Sequence, residues 1–193
     1  MKIGRYSVEE FAELVRSFHG NAAPGVILGG FMVDAALQRV PEGRLYDAVC
    51  ETYRCLPDAI QLLTPCTVGN GWLKVLNLGR FALTLYDKFE GNGIRVFVDS
   101  EKICAWPEIN DWYYKRKKKA EQDLERLLEE IKAAGAGTCG FESVQVKAGL
   151  LKKEERGGMA TCPKCGEGYP SRDGSLCCAC QGETPYSNTA SSV

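Results

Sequence analysis

At 193 residues, with 45% hydrophobic and 25% charged side chains, the chain has room for one ordinary domain plus a small appendage and can bury a real core. Its formal charge is −1, and basic and acidic side chains balance along its length, which argues against wholesale nucleic-acid binding. No apolar run approaches the ~18 residues of a membrane helix, and the N-terminal residues pass straight into a charged amphipathic segment, so the expectation is a soluble, cytoplasmic protein with no membrane partner. In such a compartment ten cysteines read as metal ligands, reactive thiols or small buried hydrophobes rather than as disulfide partners.

Ser7-Val-Glu-Glu10 has the form of a capping box ahead of Phe11, Leu14, Val15 and Phe18, so a first helix is predicted to end near His19-Gly20. Pro24 opens a second, buried helix over about 24–39, in which Gly25, Gly29 and Gly30 permit close approach of another backbone. Leu45–Tyr53 reads as a strand, and Cys55-Leu-Pro-Asp58 as a turn into a short helix ending near Leu62 or Leu63. A glycine-rich loop, Thr64–Gly71, leads into three strand-like runs, Leu73–Leu78, Phe81–Phe89 and Ile94–Val98, expected to form an antiparallel meander. Pro107 begins a long predicted helix reaching about Ala134 with an interrupted apolar stripe. Its basic run Lys115–Lys119 is followed at once by Glu121, Asp123 and Glu125, which reads as a solvated mixed-charge face. A glycine-rich connector over 135–158 encloses one candidate strand, Phe141–Leu151, and Ser187–Val193 is a polar, frayed tail.

The strongest chemical signal is near the C-terminus. Cys162-Pro-Lys-Cys165 and Cys177-Cys-Ala-Cys180 are two Cys-x-x-Cys steps separated by eleven residues. Each step turns two thiolates toward one point, which a tetrahedral zinc site needs and a packed core does not. Repetition of the 162/165 spacing selects Cys177 and Cys180 as the second pair and leaves Cys178 a bystander. Only Lys164 and Arg172 lie between the first and last cysteine as cations, with Tyr169 and Tyr186 as aromatics, so nucleic acid is disfavoured as a partner of this segment.

A second set of chemistry-bearing residues is the lone His19, at a helix-ending His-Gly turn, with Cys55 and Cys66, which bracket a short helix beside prolines. A cysteine at a helix N-terminus is expected to have a lowered pKa. The segments Phe18-His19-Gly20-Asn21-Ala-Ala-Pro24-Gly25 and Cys55-Leu-Pro-Asp58-Ala-Ile-Gln61-Leu-Leu-Thr64-Pro-Cys66-Thr67-Val-Gly69-Asn70-Gly71 resemble the FmdE-like family, that of the E-type formylmethanofuran dehydrogenase component, over about residues 8–106. The cysteine quartet is similar to the zinc-binding domain that some members carry at the C-terminus. The resemblance implies an α+β fold, with helices packed on a largely antiparallel sheet, and a homodimer. It matches His19 to the first histidine of a His-Gly-His motif, Cys55 to the cysteine ahead of Asp-x-Ile-Gln, and Cys66 to the cysteine of a Thr-Gly-Cys-Thr turn. The chain departs from the family at Asn21, Ala23 and Asn70, where histidine, cysteine and lysine are usual. Asp58 and Gln61, one helical turn apart, are candidates to orient the ligands, although helix capping also accounts for Asp58.

The expected organisation is an FmdE-like domain over 1–106, a long helix and connector over 107–158, a zinc knuckle over 159–186 and a tail over 187–193. The expected function is metal binding within one-carbon metabolism of the formylmethanofuran dehydrogenase type, which links the chain to methanogenesis and to a molybdenum or tungsten dehydrogenase complex. Zinc is expected in the tail, with a second zinc or other transition metal at His19, Cys55 and Cys66. Two alternatives stay open: an enzyme using that second set through a metal or a thiol, and a zinc-ribbon adaptor for protein or nucleic acid.

Overall fold

The computed structural model describes residues 1–152 and 157–187, which fall in two compact units divided after Leu151. The tail beyond Ser187 and connector residues 153–156 lie outside the described residues.

The first unit opens with a small hairpin, β1 (Lys2–Ile3) and β2 (Tyr6–Ser7), that the sequence pattern did not reveal. α1 (Val8–His19) begins as expected: the Ser7 hydroxyl accepts from the Glu10 amide at 3.1 Å, and the Glu10 carboxylate takes the Ser7 amide at 2.7 Å. It ends at Gly20, whose φ of 90° lets its amide reach back to the Arg16 carbonyl. α2 (Pro24–Leu37) is apolar all round and buried on nearly every side, as a helix at the centre of a layer must be. α3 (Leu56–Leu63) packs tightly against it, because a Cβ on Gly29 would sit 3.0 Å from both Ala59 and Leu56 side chains.

These helices cover one face of a five-stranded mixed sheet, in the order β4 (Leu73–Val75), β3 (Tyr46–Cys50), β5 (Ala82–Asp87), β6 (Asn92–Val98), β7 (Cys139–Gln145). Ala48, Cys50, Leu83, Leu85, Val96 and Val98 point into the shared core. The expected meander is corrected at one end. β5 and β6 pair antiparallel, but β4 does not neighbour β5; it pairs parallel with β3, which lies between them. A parallel neighbour needs a crossover, and α3 supplies it, making β3-α3-β4 a βαβ unit. The candidate strand at Phe141–Leu151 starts two residues earlier, stops at Gln145, and gives way to a helical turn, α6 (Ala148–Leu151), that follows the two helices described next.

The single helix predicted over 107–134 is two, α4 (Pro107–Tyr113) and α5 (Leu124–Ala134). Lys115 takes φ +53°, and Lys117 folds back to place its ammonium 3.1 Å from both Glu108 and Asp111. Asp123 then restarts the helix by accepting from the Arg126 amide at 3.0 Å. Both helices belong to the first unit, and α5 buries Leu127 and Ile131 in its core.

In the second unit β8 (Met159–Thr161) and β9 (Gly168–Pro170) form an antiparallel hairpin, followed by short 3₁₀ turns at Ser171–Asp173 and Cys178–Gln181. No helix among the described residues is long and apolar enough to cross a membrane.

Candidate functional site

The four cysteines selected by spacing converge. Cys162 and Cys165 lie at the tip of the β8–β9 hairpin, where Gly166, at φ +78°, turns its amide back to the Cys162 carbonyl at 2.8 Å. Cys177 caps the last 3₁₀ turn and Cys180 sits within it. All four sulfurs lie within 4.8 Å of one another. A tetrahedron with Zn–S bonds of about 2.3 Å has sulfur–sulfur edges of about 3.8 Å, and Cys165 and Cys177 sulfurs are 3.7 Å apart. The donor chemistry fits as well. Backbone amides of Cys177 and Cys165 push the Cys162 thiol down to about 6, whereas Cys180, desolvated and facing the other three sulfurs, is pushed up to about 12. Four thiolates cannot gather here without a cation among them, and zinc is the soft, tetrahedral ion such a set selects. Cys178 lies outside the group, beside Asp173 and Glu183.

The second set is divided. Among the described residues the quartet is the only group of three or more His, Cys, Asp or Glu side chains gathered within ligand distance, so His19, Cys55 and Cys66 do not form a comparable cluster. Cys55 precedes the first residue of α3 and Cys66 follows its last by three; eight residues at about 1.5 Å each keep the helix ends roughly 12 Å apart.

At the N-terminal end of α3, His19 Nδ1 lies 2.5 Å from Asp58 Oδ2, with both side chains about a quarter exposed. A carboxylate can only accept, so Nδ1 donates to Asp58, and in the neutral ring the lone pair is then on Nε2. Of the two roles open to Asp58, orienting the histidine is therefore the one observed. Gln61 is committed elsewhere, accepting from the Val68 amide at 3.3 Å.

Cys55 adjoins this pair on a strained backbone. Its φ is 55° and ψ −49°, and the Leu56 amide reaches across it to the Arg54 carbonyl at 2.5 Å. This is a γ-turn of the rare positive-φ kind, a conformation that costs free energy and collects at functional sites. Gly25, in the first turn of α2, makes room for it: a Cβ there would lie 2.9 Å from Cys55 Cβ, 3.0 Å from its sulfur and 3.7 Å from Trp112. Trp112 reaches this corner from α4, and neither spacing nor motif pointed to it. The expected lowering of the Cys55 pKa is corrected. Burial raises it, Asp58 raises it further, and the opposing pull of Arg54 is smaller.

Cys66, at the other end of α3, is fully buried, with its sulfur 3.6 Å from the Tyr46 carbonyl. Burial pushes its thiol up to about 11, with Asp47 adding to the effect. Asp47 and Tyr86 stand directly opposite each other on β3 and β5, and Lys88, 3.5 Å from Asp47, lies with its ammonium 4.4 Å from the centre of the Trp72 ring. Asn70, where the family usually has lysine, ties its own loop: it accepts from the Thr67 and Trp72 amides and donates to the Pro65 carbonyl.

Two family models match the chain, one in each unit. The family model described as FmdE, Molybdenum formylmethanofuran dehydrogenase operon, matches residues 18–145, and that of the FmdE treble clef zinc finger matches residues 153–187. A crystal structure of a tungsten formylmethanofuran dehydrogenase FmdE-like protein from Syntrophus aciditrophicus is similar at 54% identity and a TM-score of 0.89, over 96% of this chain and 97% of that one. A probable S-adenosyl-L-methionine-binding protein of Archaeoglobus fulgidus is 30% identical over 188 residues, covering 86% of this chain. The chain spans about half the length of that relative, 51%.

Proposed function

Because the chain belongs to the FmdE family and carries its treble-clef zinc finger, we propose that it is a metal-binding component of a molybdenum- or tungsten-dependent one-carbon system of the formylmethanofuran dehydrogenase type. The observation that carries metal binding is the quartet Cys162, Cys165, Cys177 and Cys180, with sulfurs at the spacing of a tetrahedral zinc. With all four positions taken by thiolates, zinc here is closed to substrate and serves to fold the finger. The link to a dehydrogenase rests on the family's name and on the Syntrophus protein. A homodimer is the expected form of the chain, to be checked by sedimentation.

A second metal belongs at the α3 N-terminus. The oriented His19 imidazole and the Cys55 thiol are its protein donors, and positions left over would stay open to water or a ligand. Cys66, at the far end of the helix, is outside this set. A bound metal would supply Lewis acidity at the open positions. The chain's own contribution is to hold the tautomer through Asp58 and to fix Cys55 on its γ-turn. The oriented imidazole is also what favours the reading as an enzyme, since a histidine backed by a carboxylate can accept a proton. Elemental analysis of untagged protein tests both sites. The expected result is two metals per chain, falling to one in His19→Ala, with Cys66→Ser unchanged. One zinc in all three proteins would remove the second site and leave the finger.

A further inference from the structure

The helix layer stops short of one end of the sheet. α2 ends at Leu37, and residues 38–45 run across the gap before β3 begins at Tyr46. Beyond them the helix-facing side of the sheet opens into a cleft of about 450 Å³, a size typical of small-molecule sites. Register sets its floor. Leu85, Ile94 and Ser143 stand side by side on β5, β6 and β7, and Tyr46 and Asp87 form the adjacent row. One wall is the connection after α2, with Arg39, Val40, Pro41 and Arg44.

The charges in this cleft are unequal in availability. Arg44 is engaged by Asp87 at 3.4 Å and Glu90 at 3.8 Å. Asp87 is itself held by the Phe89 and Glu90 amides at 2.9 and 2.8 Å. Arg39 has no carboxylate partner among the described residues. Its guanidinium stacks 3.7 Å from the centre of the Phe141 ring and donates once, to the Ala35 carbonyl at 2.7 Å. The stack and that one bond fix the orientation of the group and leave its other N–H groups uncommitted.

We propose that this cleft binds a small monocarboxylate with a compact apolar body. The carboxylate pairs with Arg39, and the body lies over Leu85 and Ile94 against Val40 and Pro41. One available guanidinium matches one negative charge and presents the fork that a carboxylate accepts. A dianion such as a phosphate monoester would meet Asp87 and Glu90, with Arg39 as the one cation not already engaged by them. The site is independent of the metal reading, because the 14 residues of α2 set it about 20 Å from the Cys55 corner.

The test uses the full zinc-loaded chain with 3-phenylpropanoate as the probe and 3-phenylpropan-1-ol as its uncharged counterpart, followed by amide chemical shifts in NMR titrations. Saturable shifts centred on Leu85, Ile94 and Ser143 are expected with the acid, with affinity at least tenfold weaker for the alcohol and for Arg39→Gln. That substitution also removes the stack on Phe141, so the alcohol comparison on the unsubstituted chain provides an arm that does not depend on the variant's fold. No saturable shift with the acid, equal affinity for acid and alcohol, or shifts centred on Cys55 would each overturn the proposal.

Discussion

Cys55 illustrates how much a single residue's surroundings decide. Its γ-turn stands because Leu56 and Ala59 anchor the start of α3 in the core and because Gly25 leaves space on the facing helix. Gly25→Ala should therefore be costly although alanine favours helices. The added Cβ would press on a Cβ fixed by strained backbone, and overpacking of this kind costs about 1–3 kcal/mol. Urea denaturation of Gly25→Ala beside Gly137→Ala checks this, since a Cβ at Gly137 meets nothing within 4 Å. Equal stability of the two variants would contradict the tight α2–α3 approach. At this scale the chemistry was partly legible. The quartet could be read because ligand spacing is a local property of the chain, down to the exclusion of Cys178. Asp58 left two roles open, since capping and orienting a histidine demand the same residue type at the same place. The helix that separates Cys55 from Cys66 was legible too, and the two were grouped because the family motifs carry both, although a helix of that length holds its ends apart.

At the scale of elements, the sheet's second face is organised around Glu51, the residue after β3. Its buried carboxylate takes both Arg95 Nε at 2.7 Å and Arg95 Nη2 at 3.0 Å, and Arg80 adds a contact at 2.7 Å. Burial pushes the Glu51 pKa up, but Arg95 and then Arg80 outweigh it, and the net shift is downward. A lowered carboxylate pKa contributes stability that is complete above the ordinary value of 4.5 and is lost as pH falls through the folded-state value. Glu51→Ala should cost about 3 kcal/mol at neutral pH by leaving the largely buried Arg95 guanidinium without its main partner. As pH falls below 4.5 and through the lowered folded-state value, the gap between the variant and the parent chain should narrow; a difference independent of pH would assign the loss to packing instead. Sequence patterns located most elements of this unit and missed how they join. Ser7 and Glu10 announced α1, and Pro24 announced α2. The parallel pairing of β4 was not legible because β3, its partner, comes earlier in the chain and is separated from it by α3. The break between α4 and α5 was masked because helix-compatible Lys115–Lys119 supplies no proline or glycine to mark it, and what rewards the break is tertiary: α5 folds back on α4, and Glu130 accepts from the Glu108 and Ile109 amides at 2.9 and 3.1 Å.

For the molecule as a whole, the two units differ in what holds them together. The first has a continuous core drawn from helices and sheet. Among its described residues the second buries a small cluster, Cys162, Tyr169 and Cys177, with Ala160, Leu176 and Cys180 packed partly against them. Ordering a residue costs about 1–2 kcal/mol in backbone entropy, so some thirty residues need far more than this small cluster supplies. Metal ligation is the remaining source of free energy, and binding there is folding. Treatment with a strong chelator under reducing conditions should release zinc and remove hydrogen-exchange protection from residues 158–182, while the thermal transition of residues 1–151 stays within a few degrees of its starting value. Cys165→Ser should reproduce this loss without chelator. Cys178→Ser, outside the sulfur group, should keep full zinc content and protection. Protection that survives complete removal of zinc would mean that the hairpin and its turns are stable through contacts of their own, and the quartet would then be a site the finger carries rather than the reason it folds.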